Sequence, residues 1–94
     1  MIESNPPQAG RPPPRVLLIH NGMDVTAHVA YLSDRGLRVS DSHCDDAIAR
    51  ALAVMPDVIV LDYDCERDVL AQLKADFRTR HIPVIALKDL PDTR

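Results

Sequence analysis

"DVIVLDYD", residues 57–64, holds Val58, Ile59, Val60 and Leu61 in an unbroken apolar run fenced by aspartates on both sides. Such a run favours an extended chain covered on both faces, because a strand with one wet face would alternate apolar and polar positions. It therefore reads as a central strand of a parallel sheet, and a parallel sheet needs crossover segments before and after it.

Those segments are visible on either side. Upstream, "VLLIHNG", residues 16–22, is a second short apolar run, Val16 to Ile19, that stops at His20 and Asn21. Val25, Val29 and Leu32 then recur at i, i+4 and i+7, one face of a helix, with Gly36 as a left-handed stop. "LRVSDS", residues 37–42, alternates and predicts a strand near the sheet edge. Ser42 and Asp45 form an S-x-x-D helix start, followed by Ile48, Ala51, Leu52 and Met55 at helical spacing, and Pro56 closes that helix. Downstream, Leu70, Leu73 and Phe77 mark the face of a third helix, and "HIPVIALKD", residues 81–89, predicts a fourth strand with Pro83 at its start. The order βαβαβαβ implies an α/β fold, an open parallel sheet with helices on both faces joined by right-handed crossovers. Residues 1–14, "MIESNPPQAGRPPP", carry five of the eight prolines and predict a disordered, Pro-rich tail.

Composition narrows the class of function. With 94 residues, 46% hydrophobic and 27% charged, the chain is one small globular domain whose stability is expected to draw on association. A net charge of −3 and only three aromatics, Tyr31, Tyr63 and Phe77, disfavour nucleic-acid binding. No apolar stretch approaches the roughly 20 residues of a membrane span and no signal segment is visible, so a cytoplasmic location is expected, with no membrane partner. Cys44 and Cys65 have no second Cys or His at finger spacing and read as reduced thiols.

In open α/β sheets the chemistry gathers beyond the carboxyl ends of the strands. Here those ends carry His20-Asn21, Asp62-Tyr63-Asp64 and Lys88-Asp89, which are expected to converge. "PDVIVLDYD", residues 56–64, resembles the third-strand signature of response-regulator receiver domains, the phosphoacceptor modules of two-component (phosphorelay) signalling. "VLLIHNG" sits where the first strand of such domains begins, and "HIPVIALKD" is similar to their fourth strand. The resemblance spans residues 15–90. It implies a flavodoxin/CheY-like sheet with strand order 2-1-3-4, truncated to residues 15–94 without the last helix-strand-helix part, and it puts Asp62 at the phosphoacceptor position.

The departures from the family are chemical. Its acidic pair for Mg²⁺ is replaced by His20 and Asn21, its fourth-strand Ser or Thr by Lys88, and its Met-Pro and Gly loop by "CERD", residues 65–68. Mg²⁺ takes oxygen ligands in octahedral geometry, and a lone Asp62 beside an amide and an imidazole makes a poor cage. The expectation is a degenerate receiver-like module, not an enzyme, with no catalytic residue and no metal or other cofactor. In it Lys88 either sets its ammonium against Asp62 or is solvated near the terminus. His20 and Asn21 are expected to bond loop backbone or cap the next helix. His28, His43 and His81 fall on predicted helix or loop surfaces without a cofactor role, and Arg78 and Arg80 complement the dipole at the end of the third helix.

With strand order 2-1-3-4 the fourth strand is a bare edge, so Ile82, Pro83, Val84, Ile85, Ala86 and Leu87 are the expected interface for a second copy or another protein partner, a homodimer first. Two alternatives stay open. One is a working phosphoacceptor, phosphorylated at Asp62 by a histidine kinase with Mg²⁺. The other is a small α/β ligand-binding domain or enzyme with His20 as base and Asp62 as orienter, which the three glycines and the missing glycine-rich loop disfavour.

Overall fold

The computed structural model describes residues 13–62 and 65–87. Four strands, β1 (Arg15–His20), β2 (Arg38–His43), β3 (Val58–Leu61) and β4 (Val84–Ala86), form one sheet in the order β2-β1-β3-β4. Each neighbouring pair is parallel, with Arg15 opposite Arg38, Val16 opposite Val58 and Ile59 opposite Val84. Helices α1 (Thr26–Asp34), α2 (Ala47–Val54) and α3 (Glu66–Ala75) make the crossovers, and a 3₁₀ turn at Cys44–Asp46 leads into α2. This is the architecture that the two apolar runs at residues 16–19 and 58–61 imply.

The two-residue alternation of side chains along each strand divides the core. Leu17, Ile19, Ile59 and Leu61 point to one face, where Ala47 and Ala51 of α2 and Val69 and Leu73 of α3 cover them. Val16, Leu18 and Val60 point to the other, covered by Val25 and Leu32 of α1. Burying each of these large side chains is worth about 1.5–3 kcal/mol. At the amino end of the sheet, Asp57 holds the start of β1: its Oδ2 accepts from Arg15 N at 2.8 Å and its N–H donates to Arg15 O at 2.8 Å.

Several element boundaries differ from the sequence reading. Ser42 is a buried residue of β2, its hydroxyl donating to His43 O, and the cap of the following turn is the His43 ring, which accepts from Asp45 N. Strand pairing with β1 carried the chain past the S-x-x-D signal. Met55 lies beyond α2 in the left-handed region, φ 51°, and is half exposed. The chain leaves the right-handed helix at this residue because Pro56 disfavours that region for the residue before it. Phe77 falls after α3 and is 73% exposed. The helix ends early because Asp76 turns extended and binds Arg78, while the buried Thr79 hydroxyl donates to Leu73 O at 2.7 Å. Arg78 and Arg80 therefore sit in a turn and not in a helical terminus. His81 and Ile82 continue that turn, and Ile82, 2% exposed, packs in the core with residues of α2 and α3, which removes its side chain from any docking surface. Of the Pro-rich tail, residues 1–12 lie outside the described residues, and Pro14 O accepts from Arg38 N at 2.9 Å.

Candidate functional site

The carboxyl rim of the sheet brings His20 from β1, His43 from β2 and Asp62 just past β3 to one end. Asp62 is 7% exposed. Its N–H donates to Ile19 O at 2.8 Å and its carbonyl accepts from Cys65 N at 3.0 Å, so the sheet fixes its backbone on one side and the start of α3 on the other. Its Oδ2 accepts from Asn21 N at 3.4 Å.

The loop after β1 binds inward on itself. Gly22, at φ +92°, adopts a conformation that costs other residues and turns its N–H onto His20 Nδ1 at 3.1 Å. A ring nitrogen that accepts has no proton, so the other nitrogen of the neutral ring carries it. His20 Nε2 accordingly donates to Asp41 Oδ2 at 3.0 Å. Both nitrogens of His20 are thus committed away from Asp62. Asn21 divides its two ends: its backbone serves Asp62, and its side-chain Oδ1 accepts from Cys44 Sγ at 3.4 Å. The His43 ring stands edge-to-face on His20, centroids 6.1 Å apart at 78°. At the mouth of α1, Asp24 Oδ1 accepts from both Thr26 N and Thr26 Oγ1, and the hydroxyl bond chiefly holds this carboxyl below its ordinary range.

The sequence placed His20, Asn21 and Asp62 together, and the structure does so too. Lys88, Tyr63 and Asp64 lie outside the described residues, as does any contact between Lys88 and Asp62. Asp41, His43 and Cys44 were missed as members of this rim. The available signal was the parity of Val39, Asp41 and His43, which in a parallel register shares a face with Val16, Leu18 and His20. On and beside β4, Pro83 and Ile85 are exposed and Val84, Ala86 and Leu87 are half-buried.

The donors around Asp62 do not suit Mg²⁺. A hard cation wants several oxygen ligands. Among the described residues Asp62 meets a backbone N–H, which is a donor, while His20 and the Asn21 oxygen are engaged elsewhere.

The fold is similar to the crystal structure of a response regulator from Desulfuromonas acetoxidans, with a TM-score of 0.68 and 24% sequence identity over 77% of this chain. The chain spans 63% of the length of that protein. No family model matches the sequence, and no curated protein matches it. The fold is therefore an open parallel α/β sheet like that of this response regulator, with the strand order 2-1-3-4 that the sequence resemblance implied.

Proposed function

We propose that this chain is a degenerate receiver-like signalling module of the two-component type, which acts through protein contacts and not by phosphotransfer or enzymatic turnover. One observation carries the reading: where a working receiver needs carboxylates beside its phosphoacceptor, His20 spends one nitrogen on Gly22 and the other on Asp41. Phosphoryl transfer rests on positioning and charge neutralisation by the cation, so an Asp62 without neighbouring carboxylates to hold Mg²⁺ is a slow acceptor. Lys88, two residues beyond β4 in the chain, is proposed to approach Asp62 in the cation's place.

The contact surface of this reading is the outer edge of β4. Its inner side pairs with β3, and among the described residues no strand pairs with its outer side. Ile85, which shares the α1 face with its register partner Val60, is 40% exposed. A bare apolar edge recruits another strand, so residues 83–87 pair with a second copy of the chain, with Pro83 limiting the ladder at one end. No helix of the described residues is long and apolar enough to cross a membrane, and the module is proposed to work in the cytoplasm.

Intact-mass analysis after incubation with Mg²⁺ and acetyl phosphate tests this reading. The expected spectrum contains no phosphoryl adduct. An adduct that forms readily and vanishes in Asp62→Asn would establish the working-phosphoacceptor reading instead, with a histidine kinase as the partner.

A further inference from the structure

The segment where β2 meets the 3₁₀ turn gathers three side chains of metal-ligating type in a row. One donor atom from each of His43, Cys44 and Asp45 lies within 4.8 Å of the others. His43 Nδ1 is 3.8 Å from Cys44 Sγ and 3.5 Å from Asp45 Oδ2, and Asn21 Oδ1, from the loop after β1, is 3.4 Å from the same sulfur. Tetrahedral zinc, with bonds of about 2.3 Å to sulfur and about 2.0–2.2 Å to nitrogen and oxygen, separates its donors by about 3.4–3.6 Å. The His43–Asp45 and Cys44–Asn21 separations, 3.5 and 3.4 Å, match edges of such a tetrahedron, and the His43–Cys44 separation of 3.8 Å closes to it with a small side-chain shift. We propose that His43, Cys44 and Asp45, with Asn21 Oδ1 at the fourth corner, form a Zn²⁺ site.

The protonation pattern suits ligation. His43 Nδ1 accepts from Asp45 N at 3.1 Å, so it is the unprotonated ring nitrogen, the one able to ligate, and the ring proton sits on Nε2. The edge-to-face contact with His20, itself held between Gly22 and Asp41, fixes the orientation of the His43 ring. On binding, Cys44 gives its thiol proton to solvent and the sulfur bonds zinc as a thiolate, which releases Asn21 Oδ1 from that hydrogen bond to face the ion. The Asp45 N–H gives up the His43 nitrogen and turns to water. A thiolate and an imidazole select a borderline-soft ion over Mg²⁺ or Ca²⁺. The bound ion would clamp the loop after β1 to the end of β2 through Asn21, the residue whose backbone amide bonds Asp62.

Titration of the reduced full-length chain with Co²⁺, a coloured stand-in for zinc, tests the site. The expected result is saturation at about one equivalent, with tetrahedral ligand-field bands, a thiolate-to-cobalt charge-transfer band, and bleaching of both by Zn²⁺. Cys44→Ser should abolish the charge-transfer band and weaken Zn²⁺ binding ~100-fold. Asp45→Asn, at a surface position that leaves folding intact, should weaken it ~10-fold. Lack of saturable tetrahedral absorption, or a Cys44→Ser chain that binds Zn²⁺ as tightly as the parent with unchanged circular dichroism, would overturn the proposal.

Discussion

The two faces of the sheet are covered unequally. Over Leu17, Ile19, Ile59 and Leu61 lie two helices, and Leu73 and Ile82 in the same cluster are almost completely enclosed. Over Val16, Leu18 and Val60 lies α1 alone among the described residues, and the margin, Val29, Val39, Val58 and Leu87, is only partly buried. The first face is organised for stability. The second keeps apolar surface at its β3-β4 side, where Ile85 stands half exposed, and this is the side the proposed function assigns to a partner.

The sharpest way to break this comparison is to remove one side chain from each face. Leu17→Ala, beneath α2 and α3, is expected to cost about 3–4 kcal/mol, enough to unfold much of a small domain. Val58→Ala, at the margin of the α1 face, should cost about 1 kcal/mol. Urea denaturation of both variants measures the difference, and equal losses would show that the faces are equivalent. Thr79→Val removes the buried hydroxyl that closes α3 on Leu73 O, and by the same measurement should cost about 1–2 kcal/mol.

Ile85→Glu addresses the partner side. It should change monomer stability by less than about 0.5 kcal/mol, since the side chain is already wet, yet convert a dimer to a monomer in light scattering. A parent chain that is monomeric at high concentration would remove the edge from the account. The smallest effect concerns the turn after α3. Arg78, through its guanidinium and its backbone N–H, holds the Asp76 carboxyl down from 3.8 to about 2. A depressed carboxyl stabilises the folded state above its ordinary value, and that contribution disappears as pH falls from 3.8 through about 2. Both groups are at the surface, so the gain is slight. A carboxyl NMR titration of Arg78→Ala should return Asp76 toward 3.8.

What was legible in the sequence follows from the range of the interaction concerned. The runs at residues 16–19 and 58–61 are strands because burial on both faces demands it, and their register places His20, Asn21 and Asp62 on one rim. Boundaries set by tertiary pairing were not legible. Ser42 carries a helix-start signal that the ladder with Ile19 overrides, and Phe77 continues a helical period that the Asp76-Arg78 turn interrupts. The partners of His20 were hidden for the same reason. Asp41 and His43 meet it across the register of two strands, and no local spacing announces a ligand cluster made of contiguous residues and a distant asparagine.

The proposed function requires that Asp62 is not a phosphoacceptor, and a backbone NMR titration with Mg²⁺ followed by beryllofluoride, a phosphoryl mimic, tests it most directly. The account predicts that the amides of residues 20–22 and 62 stay where they are. Saturable shifts centred on Asp62 and Asn21 would contradict it and make the chain a working phosphoacceptor.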